Sequence, residues 1–127
     1  MTRLAVRPVS SGAADTTAVV TGMSINFPAA FLKAQNILPF KRGEIRDPHH
    51  DLFRTNITGK ALVFPTCIGS TYTGLVLLEL IRTGHAPAVI IMSLADPLLV
   101  SGCVLAQVWY GRNLPVLELR QRSRANA

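Results

Sequence analysis

The sequence predicts an α/β domain built on a mixed sheet with flanking helices. Two successive apolar strands each lead into a helix: residues 61–64 precede a helix over residues 75–83, and residues 88–92 precede a helix that opens at Asp96 and Pro97 and continues to Ala106. Short, continuous apolar runs bounded by turn residues are typical of buried strands. Two βα units are therefore expected side by side.

Composition indicates one domain over residues 1–127. At 127 residues and 49% hydrophobic content, the chain is long enough to bury a core. Its longest apolar runs, residues 86–92 and 94–100, are shorter than the roughly 20 residues that a membrane-spanning helix needs. No cleavable signal pattern opens the sequence, so we expect a cytoplasmic protein with no membrane partner.

The formal net charge of +6 is partly concentrated at the two ends, and residues 120–127 form a basic tail. Terminal charges of this kind are typically solvated. The arginines are not interleaved with aromatic residues, and no recognition-helix pattern is present, so we expect no nucleic-acid binding. Basic residues on an otherwise apolar domain also suit docking against an acidic partner.

The remaining elements are expected as follows. Residues 4–8 and 18–21 are predicted strands with a turn at residues 10–13, and residues 114–119 are a last strand before the tail. Residues 41–56 are polar and are predicted to form a surface loop. This loop contains His49 and His50, for which solvent exposure is favoured over metal binding.

Residues 29–38 are long enough for about two to three helical turns, although Pro28 and Pro39 flank them. Their apolar side chains have two interpretations of equal weight. They are core residues, or they form a lid or a subunit contact. The apolar residues concerned are Phe31, Leu32, Ile37 and Leu38.

The junction between residues 61–64 and the following helix carries the clearest chemical signal. The loop contains Gly69, Ser70 and Thr71 just before the predicted helix. Backbone N–H groups and hydroxyls at the positive end of a helix suit an anion or an oxygen-based proton carrier. From spacing alone, the favoured role of Ser70 is helix capping, because serine satisfies the unpaired N–H groups of a first turn.

The two cysteines give no metal-binding motif. Cys67 and Cys103 are too widely spaced to form a paired-cysteine ligand set. Cys103 is expected to be a small buried apolar residue. Cys67 precedes a helix N-terminus, where a thiol pKa can be lowered, but a passive role is preferred for it.

Several segments, taken in order, resemble the small swivelling domain of aconitase X. They are residues 59–65, 69–71, 76–82, 84–88 and 95–99, followed by Gly102. That family contains hydro-lyases, including phosphomevalonate dehydratases and cis-3-hydroxyproline dehydratases. The resemblance implies a swivelling β/β/α domain with a mixed, barrel-like sheet. It also implies the small subunit of an enzyme that dehydrates a small hydroxy acid.

The resemblance further implies a site. Ser70 would be the base that removes the proton, and Thr71 would share the catalytic role. The implied substrate-binding residues are Gly69, Tyr72, Thr73, Ser24 and His50. No metal or other cofactor is expected in this chain, because any iron or iron–sulfur centre would be held by a large aconitase X-type subunit. That large subunit and a small-molecule substrate are the expected partners.

The sequence departs from the family at the loop, where Ile68 stands in place of an arginine. This departure leaves two alternatives open. One is a stand-alone, metal-free isomerase, dehydratase or cyclase, acting as a homo-oligomer if not alone, that holds a more apolar substrate with Thr71, Tyr72 and residues 31–32. The other is a non-catalytic assembly module.

Overall fold

The computed structural model describes residues 6–10, 17–38, 41–68 and 71–119. The elements are β1 (Val6–Ser10), β2 (Ala18–Val20), α1 (Phe27–Phe31), a 3₁₀ turn (Ala34–Ile37), β3 (Ala61–Phe64), α2 (Thr73–Thr83), β4 (Val89–Met92), α3 (Pro97–Tyr110) and β5 (Val116–Leu119). The predictions for residues 4–5, for the turn at residues 11–13 and for the basic tail at 120–127 lie outside the described residues.

The five strands form one mixed sheet in the order β1-β5-β4-β3-β2. β2, β3, β4 and β5 run parallel, whereas β1 pairs antiparallel with β5. The predicted mixed sheet with flanking helices is therefore confirmed. The two N-terminal strands lie at opposite edges of the sheet, so they are not neighbours.

The buried face of the sheet is built from alternate residues of the central strands. Leu62 and Phe64 on β3, and Ile90 and Met92 on β4, are almost completely buried. Val63, between them on the opposite face, is only partly buried. The crossovers from β3 to β4 and from β4 to β5 run in the same direction across the sheet. Since such crossovers are nearly always right-handed, their helices α2 and α3 lie on the same face. The two helices pack against each other.

Two glycines set the distance between α2 and α3. A Cβ atom at Gly102 would lie 2.5 Å from the carbonyl oxygen of Gly74, and a Cβ atom at Gly74 would meet the carbonyl oxygen of Leu98. These are backbone atoms, which cannot move aside as a flexible side chain can. The helices therefore approach closely only because both positions lack a side chain.

α2 begins at Thr73 rather than at the predicted residue 75, and it ends at the residue that the sequence predicts. Gly84 adopts a left-handed conformation with φ of 79° and donates its N–H to Ile81 O at 3.1 Å. His85 donates its N–H to Leu80 O at 2.8 Å. This pair of bonds satisfies carbonyls that would otherwise have no partner at the helix end.

α3 confirms the predicted start at Asp96 and Pro97. The Asp96 carboxylate accepts bonds from the N–H groups of Leu98 at 2.7 Å and Leu99 at 3.3 Å. The helix continues to Tyr110, beyond the predicted end at residue 106, and Gly111 terminates it in a left-handed conformation. Within the described ranges, no helix has the length and apolar character needed to cross a membrane.

Residues 29–38, which the sequence shows to be long enough for about two to three helical turns, do not form one continuous helix. α1 covers only Phe27–Phe31, and the chain then forms a separate 3₁₀ turn. Pro28 lies inside the first turn of α1, where its missing N–H has no cost, and Asn26 caps that turn by accepting the Ala29 N–H at 3.2 Å. Leu32 leaves the helical conformation, which interrupts the segment.

Residues 41–56 pack against the rest of the domain and do not form a solvated loop. Ile45 is fully buried, and Glu44 forms an isolated antiparallel bridge with Asn56. The Arg46 guanidinium contacts Glu44 at 2.6 Å and lies 4.9 Å from the centre of the Phe53 ring. The surface-loop prediction is therefore corrected, because this polar segment packs onto the core through its few apolar and paired side chains.

Candidate functional site

The candidate site lies at the carboxyl edge of the parallel strands. There, Thr21 continues β2 and donates its N–H to Val63 O at 2.9 Å. Ser93, which follows β4, donates its N–H to Pro65 O, just after β3, at 3.0 Å. In open α/β sheets, ligands typically bind at the carboxyl ends of the strands. The predicted site residues follow β2 and β3 at this edge.

The connection after β2 runs beside the connection after β3. Ile25 donates its N–H to Thr66 O at 3.1 Å, and Ile68 donates its N–H to Ile25 O at 3.0 Å. These bonds form a parallel bridge between Ile25 and Cys67. As a result, Ser24 adjoins the segment at Cys67 that leads in the sequence to residues 69–73.

The predicted residues of that loop differ in their placement. Gly69 and Ser70 lie outside the described residues, so their roles stay predictions. Thr71 is exposed, and 62% of Tyr72 is exposed. Thr73 is only 1% exposed, in the first turn of α2. Its burial does not fit the predicted substrate contact and fits a structural role at the start of the helix.

The start of α2 also bears on the capping alternative for Ser70. The N-cap residue of α2 is Tyr72, with φ of −85° and ψ of 0°, and the helix begins at Thr73. The capping position therefore lies two residues after Ser70.

A hydrogen-bonded cluster joins the 41–56 segment to the end of β2. The Thr21 hydroxyl donates to Asp51 Oδ1 at 2.7 Å and accepts the Met23 N–H at 3.0 Å. His50 Nδ1 lies 3.2 Å from the same Asp51 oxygen and accepts the Leu52 N–H at 3.1 Å. The cluster fixes the chain just before Ser24.

His50 is buried, with 4% of its side chain exposed, whereas His49 is exposed. The expectation of a solvated histidine is therefore wrong for His50 and right for His49. The buried Nε2 atom has no hydrogen-bond partner within the described part of the chain. His50 thus keeps one ring nitrogen for a further group.

Sequence reasoning missed Thr21 and Asp51. Thr21 lies at the carboxyl end of a strand, and Asp51 directly follows His50. A hydroxyl residue at a strand end is the one local signal that points to this cluster. The contact between the two residues spans 30 positions, so their pairing depends on the tertiary structure.

Cys67 lies beside the site, but its environment does not activate it. Burial raises the pKa of the Cys67 thiol far above its usual range, with smaller contributions from Asp96 and Cys103 in the same direction. Burial likewise raises the pKa of Cys103 to about 12. The thiolate, not the thiol, is the reactive form. These shifts agree with the passive role preferred for Cys67 and with the buried position predicted for Cys103.

We therefore expect both thiols of the folded chain to resist alkylation by iodoacetamide at pH 8. Raised pKa values leave almost no thiolate at that pH. Mass spectrometry should detect little carbamidomethylation in the native protein and two modified cysteines in guanidinium chloride. Rapid labelling of native Cys67 would show that its thiol is activated.

An iron or iron–sulfur centre does not fit the residues at this site. Across residues 6–10, 17–38, 41–68 and 71–119, no three His, Cys, Asp or Glu side chains are grouped closely enough to hold a metal ion. The raised thiol pKa of Cys67 also disfavours the thiolate that such a ligand would need.

Large apolar side chains surround the carboxyl edge. We call this set the apolar rim. Each member is between 41% and 65% exposed, and none belongs to the core. The rim consists of Val20, Met23, Ile68, Tyr72, Leu75, Leu94 and Leu98. Exposed large apolar side chains concentrated at one edge of a domain typically mark a binding interface.

These features define an α/β domain whose candidate site lies at an open edge of a parallel sheet, with its helices packed on one face. The profile described as the aconitase X swivel domain matches residues 3–126. The chain therefore belongs to the aconitase X swivel domain family.

Relatives of known name occur both as small subunits and within longer chains. The phosphomevalonate dehydratase small subunit of Methanopyrus kandleri is 46% identical over 68 residues, which cover 54% of this chain and 50% of that one. The cis-3-hydroxy-L-proline dehydratase of Pseudomonas aeruginosa is 38% identical over 82 residues, 65% of this chain but 14% of that one. The chain thus spans half or less of the length of these relatives.

The fold also matches a solved structure. The holo-form of Thermococcus kodakaraensis aconitase X superposes with a TM-score of 0.76 at 25% sequence identity. The match covers 91% of this chain and 78% of that one. The α/β swivel architecture predicted from the sequence is therefore confirmed over nearly the whole chain.

Proposed function

We propose that this chain is the small subunit of an aconitase X-type hydro-lyase that removes water from a small hydroxy acid. Ser70 supplies the base, and a larger subunit completes the site. The names of the relatives support the reaction class, because they are dehydratases. The P. aeruginosa relative supports the partner, because its matched region is a small part of a much longer chain.

The observation that carries this proposal is the apolar rim around the candidate loop. Ile68 and Tyr72, on either side of Gly69 and Ser70 in the sequence, are 51% and 62% exposed. Burial of apolar area against a partner is favourable by about 25 cal/mol for each Å². A larger subunit that covers the rim would close the site around Ser70 and exclude water from it.

The proposed base needs assistance, because a serine hydroxyl is a poor proton acceptor at neutral pH. The first turn of α2 provides it. Its backbone N–H groups, including those of Gly74 and Leu75, have no partner inside the helix and carry the positive end of the helix dipole. This positive potential would stabilise an alkoxide at Ser70 while the substrate loses its carbon-bound proton.

Four further residues are proposed to contact the substrate or to share in catalysis. Thr71 and Tyr72 are exposed beside the loop, and Ser24 lies on the adjoining connection. His50 contributes its buried, unpartnered Nε2 atom. We assign Thr21 and Asp51 the supporting task of holding His50 and the Ser24 connection in place.

The proposed complex is cytoplasmic, and its larger subunit holds any iron or iron–sulfur centre. Such a centre would bind and polarise a hydroxyl group of the substrate. Within the part of this chain that the structure describes, the residues do not form a site for it.

Ile68→Arg distinguishes a charged substrate from an apolar one. Because Ile68 is 51% exposed in the isolated chain, an arginine there leaves the fold of this chain intact. For a small hydroxy acid, the guanidinium would meet a carboxylate, so KM should fall or stay unchanged. The comparison is made by steady-state kinetics on the two-subunit complex, with Ile68→Leu as the uncharged control. An increase of roughly tenfold or more in KM for Ile68→Arg alone would indicate an apolar substrate group beside this position and contradict a charged one.

The function is tested by reconstitution. This chain and a large aconitase X-type subunit from the same organism are purified separately, mixed, and assayed with a panel of small hydroxy acids, including 5-phosphomevalonate and cis-3-hydroxy-L-proline. We expect dehydration only from the mixture, together with a stable complex in analytical ultracentrifugation. Turnover by this chain alone would contradict the small-subunit assignment, and a stable complex without turnover would favour a non-catalytic module.

A further inference from the structure

A cavity lies away from the carboxyl edge. It has a volume of about 340 Å³ and is formed between α2 and the segment that contains the end of α1 and the 3₁₀ turn. We call it the α1–α2 crevice. Its volume falls within the range of roughly 300–1,000 Å³ that is typical of small-molecule sites.

The floor of the α1–α2 crevice is apolar. Phe31, Val76 and Leu80 line it and are each 4–5% exposed. Leu32 and Ile37 lie at its mouth and are 63% and 74% exposed. Both residues belong to the 29–38 segment, whose apolar side chains had two interpretations, as core residues or as a lid or subunit contact. Of these side chains, only Phe31 is buried in the core. The exposed ones remain available to cover an apolar ligand.

The charge around the crevice is positive. Lys33 and Arg42 line it, and neither side chain forms a hydrogen bond or close ion pair with another residue of the described ranges. The lining also contains Glu79, which is ion-paired with Arg82. The hydrogen bond from Arg82 lowers the pKa of Glu79, and Arg42 adds a smaller effect in the same direction. The two basic side chains therefore favour an anionic ligand.

The crevice is separate from the proposed reaction site. It follows α2 from Val76 to Thr83, whereas the site lies before Thr73. At about 1.5 Å per residue, the crevice extends from roughly 5 Å to roughly 15 Å along the helix from Thr73. The residues that line it are distinct from those assigned to the substrate.

We propose that the α1–α2 crevice binds a small organic anion with an apolar body. The apolar body lies on Phe31, Val76 and Leu80, and the carboxylate faces Lys33 and Arg42. The proposal is independent of the dehydratase assignment, because it rests on residues that have no part in that reaction.

The probe is octanoate, which combines one carboxylate with an unbranched apolar chain. Octanoate is titrated into the ¹⁵N-labelled chain and followed by two-dimensional NMR. We expect saturable shift changes at the amides of Phe31, Ile37 and Val76. Octanamide, which has the same body without the charge, should bind at least about fivefold more weakly. Absence of saturable binding, or equal affinity for the two probes, would overturn the proposal.

Variants locate the site. Arg42→Ala and Ile37→Asp should each raise the Kd for octanoate at least about fivefold, the first through loss of a cation and the second through an acid at the apolar mouth. The matched controls are Lys60→Ala, which removes a cation outside the crevice, and Val108→Asp, which places an acid on the exposed face of α3. Both controls should bind as the wild type does. If Val108→Asp weakens binding instead, the ligand lies on α3 and the crevice is not the site.

Discussion

Ser70→Ala should abolish dehydration by the reconstituted complex while the chain stays folded. General acid–base catalysis by a positioned side chain typically contributes about 10²–10⁴-fold, and a loss of this size in kcat is expected when the base is removed. The effect on stability should be small, because even the loss of a helix N-cap costs only about 0.5–2 kcal/mol. Steady-state kinetics gives the first quantity, and denaturant unfolding of the isolated chain gives the second.

The matched control is Ser101→Ala, on the exposed surface of α3. Its hydroxyl donates to Leu98 O at 2.7 Å, so the change removes one local bond and no part of the proposed site. Its kcat should equal that of the wild type. If Ser70→Ala keeps near-normal kcat and instead lowers the free energy of unfolding by about 0.5–2 kcal/mol, Ser70 is a cap and not a base.

Gly102→Ala should give the largest loss of stability among conservative changes in α3. Its Cβ would lie 2.5 Å from Gly74 O and 2.9 Å from Gly74 Cα, so α2 and α3 would have to separate. Overpacking of this kind typically costs about 1–3 kcal/mol, which exceeds the gain in helix propensity of roughly 1 kcal/mol. Urea unfolding, monitored by circular dichroism, measures the difference.

Gly22→Ala is the matched control, because no atom lies within 4 Å of the Cβ that it would introduce. Its free energy of unfolding should stay within about 0.5 kcal/mol of that of the wild type. Equal stabilities for Gly102→Ala and Gly22→Ala would show that the close approach of α2 and α3 is not required.

The sequence predicted those elements whose signals are local. The apolar strands β3 and β4 and the Asp96 cap of α3 depend on residues within a few positions of each other, and all three are present. The break after α1 was not predictable in the same way. Pro28 suits the first turn of a short helix as well as the boundary of a longer one, and the sequence does not distinguish the two.

Features that depend on distant contacts were not predicted. The polarity of residues 41–56 indicated solvent, but Ile45 and His50 are held in the interior by contacts with other parts of the chain. The α1–α2 crevice likewise combines Phe31 with Val76, which are far apart in the sequence. At the site, the sequence identified the loop and its neighbour Ser24, whereas the burial of Thr73 and the cluster of Thr21 with Asp51 required the tertiary structure.

The central claim is that this chain supplies the base of a dehydration reaction, and deuterium exchange tests it most directly. Removal of a carbon-bound proton by a base that equilibrates with solvent leads to deuterium incorporation into the substrate in D₂O. With the hydroxy acid that the complex dehydrates, mass spectrometry should detect exchange with the wild-type complex. It should detect none with the large subunit alone or with the Ser70→Ala complex. Exchange at the wild-type rate by the large subunit alone would place the base outside this chain and contradict the account.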